Sequence, residues 1–199
     1  VASDYVIGEN ADTFTFTLRE GVKFHDGSEV TVGDVVYSIS RVAGFDTGVP
    51  LVSTFSAVES VEAIDDKTVV VKTKEPYLEF LAFLNCAIIP EGNVPAEDGL
   101  IGTGPFKVET VKLGEYTTLV RNADYYNPGT GNIEKIYMYP STDAGDTNLI
   151  TNAQAGNIDY AFCKDSAQVQ QLQAMEGYNV ETVNVTFPRY IFINMFERG

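Results

Sequence analysis

The 199 residues contain one histidine, His25, set in the stretch "FTLREGVKFHDGSEVTVGDVVYSISRV", residues 16–42. An imidazole can serve as a general base or a metal ligand, and either role needs partners. A metal site takes several ligands at suitable spacing, which one His beside scattered carboxylates does not supply. A Ser-His or Cys-His hydrolase would have to use this residue, and no Gly-x-Ser-x-Gly elbow stands elsewhere to pair with it. His25 is therefore expected to be a turn residue between strand and helix. Asp26 and Gly27 shape that corner, the glycine through its backbone freedom.

Other stretches invite chemical readings that their spacing does not carry. "GTGPF" (102–106) lacks the Lys-Ser/Thr of a phosphate-binding loop, and a hairpin strand rather than a helix is expected after it. "DAGDTN" (143–148) alternates carboxylates like a calcium loop without the Gly and terminal Glu of an EF-hand. It reads as a helix N-terminus, where acidic residues are favoured by the dipole. Tyr125, Tyr126, Tyr137 and Tyr139 resemble a sugar-stacking platform, but strand alternation makes packing the default. The acidic residues are too numerous for spacing alone to single out a glycosidase pair. Cys86 and Cys163 lie far apart with no C-x-x-C spacing. They are taken as small buried hydrophobes, a disulfide in an oxidising compartment being the alternative.

These residues need elements to hold them. Thr13, Thr15 and Thr17 alternate with Phe14, Phe16 and Leu18, the period of a half-buried strand. After Gly21 the alternation resumes at Val22 and Phe24, and the turn "HDGS" follows. Thr31 and Asp34 make a capping box in which Asp replaces the usual Glu, and Val35, Val36, Ile39 and Val42 share one helical face. A loop, "AGFDTGVPLVST", leads to a hairpin of "VESVEAI" and "TVVVKTK" joined at Asp65, Asp66 and Lys67. A short helix is expected over 77–84, then a brief buried strand at "AIIP". The stretch "EGNVPAEDGLIGTGPF" is the most turn-rich, and a subdomain boundary is placed there, near residue 100. A second hairpin, "FKVETVKL" and "YTTLVRN", turns at Gly114, and the strand "IEKIYMYP" follows. Helices are expected over 143–155, ended by Gly156, and over "SAQVQQLQAM" with Ser166 as N-cap. "IDYAF", "YNVETVNV" and "RYIFINM" are expected strands. Strands alternating with short helices give an α/β, or mixed α+β, fold.

The balance of 13 basic against 28 acidic residues leaves a formal charge of −15. A surface so acidic repels phosphate backbones and anionic lipid, so nucleic acid is not an expected partner. No apolar run reaches membrane-spanning length. The opening "VASDYVIGEN" and the closing "RYIFINMFERG" suggest a fragment.

The ordered motifs resemble those of the family 5 extracellular solute-binding proteins, the peptide-, dipeptide- and nickel-binding components of bacterial ABC importers. The first block places Leu18, Arg19, Gly21, Phe24, Asp26, Gly27, Asp34 and Val35 on the family pattern. "GTGPFKVE" with "LVRNADYYN", then "GNIEKIYMYPSTDAGDTNLITNAQAGNIDYAF", then "RYIFINM" are similar to its later blocks in the same order. The resemblance implies a partial type II periplasmic-binding-protein-like fold. Residues 1–100 would be a small α/β subdomain, and 101–199 part of the first ligand-binding lobe, with the second lobe absent.

The function so implied is a non-enzymatic receptor that delivers peptides to a membrane permease. It needs no cofactor or metal and acts as a monomer at the periplasmic or extracellular face, lipid-anchored in the full protein. Loop 45–55 and the turns at 84–87 and 102–104 would face the ligand, with Phe45, Leu51, Phe55, Asn85 and Thr103 as its contacts. Nickel-binding relatives use an Arg near the segment that here reads "FLAFLNCAII", which has none, so peptide is preferred to metal chelate. An extracellular carbohydrate-active enzyme and a scaffold or sensor module remain as alternatives.

Overall fold

The computed structural model describes residues 1–93, 99–127, 129, 131–140, 147–163 and 165–183. Two compact units divide the chain, Val1–Pro140 and Ser141–Gly199. This is a division by packing.

The first unit begins with a four-stranded antiparallel sheet ordered β1-β2-β4-β3, of β1 (Ala2–Ile7), β2 (Thr13–Leu18), β3 (Val58–Ala63) and β4 (Thr68–Thr73). Phe14 stands opposite Val71 and Phe16 opposite Val69, so the Phe-Thr alternation of β2 meets the valines of β4. A register shift between Val58 and Ser60 lets Val58 and Val61, three residues apart, both turn inward. Helix α1 (Val32–Ala43) packs on β3 and β4 and buries Val35, Ile39, Val42 and Ala43. With Phe14, Phe55, Phe80, Val69 and Val71 these make one apolar core. Phe80, from the short helix α2 (Phe80–Phe83), meets Phe55 edge-on with ring centroids 5.9 Å apart.

The capping box expected at α1 is present: Thr31 caps the Asp34 N–H, and the Asp34 carboxylate accepts from the Thr31 N–H at 2.7 Å. At the other end Gly44 has φ +72°, its N–H reaches the Arg41 carbonyl, and the Phe45 N–H reaches the Ser40 carbonyl. That is the Schellman arrangement.

The same unit carries a three-stranded antiparallel sheet ordered β5-β6-β7, of β5 (Phe106–Lys112), β6 (Tyr116–Arg121) and β7 (Lys135–Met138). In the second unit, α3 (Thr147–Gln154) also ends in a Schellman arrangement. Gly156 lies at φ +68°, with Asn157 N–H bonded to the Asn152 carbonyl. Helix α4 (Ser166–Gln173) is capped by Asp165 and not by Ser166, because the Asp165 carboxylate takes the N–H groups of Ala167 and Gln168.

Two expected strands are absent. The "AIIP" segment forms none, because the Ile89 N–H is taken by the Ser38 hydroxyl at 2.9 Å. "IDYAF" forms none either, and Tyr160 and Phe162 lie exposed. The expected strand over 178–185 is not formed through residue 183, and its last residues, like all of "RYIFINM", lie outside the described residues.

Candidate functional site

The His25 corner is built from anchors on both sides. Val22 and Phe24 are buried at 2% and 1% exposure, which fixes the chain on either side of Lys23. The Phe24 N–H donates to the Ser28 carbonyl, and the Gly27 N–H, at φ +93°, donates back to the Phe24 carbonyl. Asp26 closes the turn by accepting from the Ser28 hydroxyl at 2.7 Å and the Ser28 N–H at 2.9 Å. The hydroxyl first and then the amide hold its carboxyl below the usual range.

From that corner His25 reaches the 102–104 turn. Its backbone N–H donates to the Gly102 carbonyl at 2.8 Å. The ring takes the Gly102 N–H at Nδ1 (3.3 Å), and Nε2 lies 3.1 Å from the Gly104 carbonyl oxygen. Asn122, buried at 3% exposure, donates its side-chain amide to the same Gly104 oxygen at 3.0 Å. Its backbone N–H meets the Pro105 carbonyl, and Lys107 donates to the His25 carbonyl at 2.9 Å. Arg19 stands over the Tyr126 ring at 5.4 Å, and Tyr126 pairs with Tyr125 at 4.6 Å. The hydrogen bond to Tyr125 pushes the Tyr126 phenol upward. Leu-Arg, Phe-His-Asp-Gly, Gly-Thr-Gly-Pro and Arg-Asn-x-x-Tyr, separate in sequence, are thus one cluster of contacts.

Of the candidate contact residues, Phe45 and Leu51 are exposed on the loop after α1, at 46% and 60%. That loop is held by Leu51 N–H to the Val42 carbonyl and Gly48 N–H to the Gly44 carbonyl. Asn85 is exposed. The segment after it runs antiparallel to α1, with Ile89 at Ser38 and Glu91 at the Asp34 carboxylate (2.7 Å). This direction carries residues before Ile89 towards the C-terminal end of α1, from which the Phe45–Leu51 loop also leaves. Thr103 is half-buried in the turn that His25 holds. Phe55 is different: it has no exposed surface and belongs to the core with Phe80, so its ring serves packing and not ligand contact.

Cys86 and Cys163 are both free. Burial pushes the Cys86 thiol up to about 11, so it is a protonated, apolar group packed beside the core. In the second unit a hollow of about 790 Å³ is lined by Leu149, Ala153, Ile158, Phe162 and Leu172, among others. The Tyr178 hydroxyl lies 3.0 and 2.9 Å from the Ala153 and Ile158 carbonyl oxygens on its wall. Among the described residues no three His, Cys, Asp or Glu side chains gather as a metal site would require. Nor is any helix among them long and apolar enough to cross a membrane.

The chain belongs to the bacterial extracellular solute-binding proteins of family 5. The profile described as "Bacterial extracellular solute-binding proteins, family 5 Middle" matches residues 1–197. The glutathione-binding protein GsiB of Salmonella typhi is 24% identical over 209 residues, covering all of this chain and 40% of GsiB. The oligopeptide-binding protein AppA of Bacillus subtilis, solved with a nonapeptide, is 31% identical with TM-score 0.68, over 79% of this chain and 33% of AppA. NikA of Brucella suis, solved with Fe(III)-EDTA, is 25% identical with TM-score 0.74, over 89% of this chain and 38% of NikA. The fold is a partial type II periplasmic-binding-protein fold of mixed α and β class. The chain spans about 40% of the length of the curated relatives it matches.

Proposed function

We propose that this chain is part of a solute-binding receptor that delivers peptides to the membrane permease of an ABC importer. The observation that carries this reading is the family match over residues 1–197. The likeness to a peptide-bound receptor at 31% identity favours peptide over metal chelate. Residues 1–100 form its small subdomain and 101–199 part of its first ligand lobe. Phe45, Leu51, Asn85 and Thr103 face the solute, which closes between two lobes by hinge motion. Peptide main chain is held largely by hydrogen bonds, with apolar side chains such as Phe45 and Leu51 covering the solute. The protein is a monomer, not an enzyme, and works at the periplasmic or outer face of the membrane with a lipid anchor.

The test is native mass spectrometry of the intact protein carrying this segment, purified gently from its source. Short peptides of mixed sequence are expected to co-purify. A single defined small molecule would keep the receptor and change its solute class. No bound mass, together with turnover of a polysaccharide, would overturn the reading in favour of an enzyme.

A further inference from the structure

We propose that His25 is the positioning residue of the 102–104 turn, acting as a neutral imidazole in the Nε2–H form. The inference rests on the reading above only in taking Thr103 to face the solute. Nδ1 receives the Gly102 N–H, so it must carry a lone pair and no proton. The proton then sits on Nε2, which points it at the Gly104 carbonyl oxygen 3.1 Å away. One rigid ring therefore grips the residues on both sides of Thr103, accepting on one side and donating on the other.

A Gln amide also pairs an acceptor with a donor, but it carries them on a longer, more flexible stem than the imidazole, so it is expected to hold the two sides of the turn less firmly. The grip is itself held in place. The His25 N–H bonds the Gly102 carbonyl, Lys107 bonds the His25 carbonyl, and the Asn122 amide shares the Gly104 oxygen. The ring packs close to Gly102, where a Cβ would meet the His25 Cε1 in ordinary contact at 3.6 Å. Among the described residues, the Asp26 carboxylate, next in the chain, interacts electrostatically with His25, and the Lys107 ammonium donates to the His25 carbonyl.

The experiment is nitrogen NMR of the intact protein with labelled histidine, where the signal lost in His25→Gln identifies His25. The wild-type ring is expected to show a protonated Nε2 and an unprotonated Nδ1 near neutral pH. Amide exchange at Gly102 is expected to rise about tenfold in His25→Gln and further in His25→Ala, in proportion to the bonds lost. Solute affinity is expected to fall about three- to tenfold in the Gln variant.

A ring protonated on Nδ1, or Gly102 exchange unchanged in both variants, would overturn the proposal. If neither variant folds, the wild-type ring form and Gly102 protection still decide it. An intact protein that binds no solute would remove the receptor reading, while the ring form and amide exchange would still judge the grip.

Discussion

Asp34 shows how much one carboxylate organises at the residue scale. It is 7% exposed, closes the capping box of α1 with one oxygen, and takes the Glu91 N–H with the other. Thr31→Ala removes one cap and should cost about 1 kcal/mol by urea denaturation. Asp34→Ala leaves the Thr31 and Glu91 N–H groups without their carboxylate as well and should cost about 2 kcal/mol. Equal losses in the two variants would show that the Glu91 bond adds nothing. Cys86 carries a second expectation. Its thiol is raised to about 11 by burial, so the folded protein holds that proton more tightly than the unfolded chain does. The associated stability is complete below the ordinary thiol range and is lost as pH rises through about 11. Alkylation of Cys86, followed by peptide mass, should accelerate about tenfold per pH unit up to that value. A rate already saturated near neutral pH would contradict the burial.

At the scale of elements, the loop after α1 is where backbone geometry is most constrained. A Cβ on Gly44 would lie 2.2 Å from the Val49 carbonyl oxygen, and its φ of +72° is one that side chains resist. Gly44→Ala should destabilise by more than about 1 kcal/mol and displace Phe45 and Leu51, seen as faster amide exchange over 44–52. Gly48→Ala, with open space around it, should cost only the strain of its positive φ. The elements read correctly from sequence were those with a strong periodic face or cap: β2, α1 and the two hairpins. Strand β1 went unread because its residues are almost all exposed and carry no alternation between a core and a solvent face. The "AIIP" segment misled because it is apolar and brief, and its partner is a helix side chain and not a neighbouring strand.

At the scale of the whole molecule, the match to a fraction of each relative governs what binding can be asked of this chain. Ligands of clefted receptors lose most of their surface to burial, and one wall leaves the other side in water. The isolated 199-residue chain should therefore bind solute at least about a hundredfold more weakly than the intact protein, measured by calorimetry. Micromolar affinity from the isolated chain would show that the described loops alone make a site.

The sequence by itself determined the family, the two hairpins and the capped helix, because these follow from local periodicity, turn chemistry and ordered motifs. It also placed Phe45, Leu51, Asn85 and Thr103 on loops and turns. The tertiary structure alone decided that Phe55 is core, since an aromatic in a loop has no periodic face to reveal which way it points. It also decided what His25 does. The imidazole sits 77 residues before Gly102, and no local pattern announces a bond across that distance. Such pairings arise only when the sheet, the helix and the following hairpin have packed, and they belong to the fold and not to the motif.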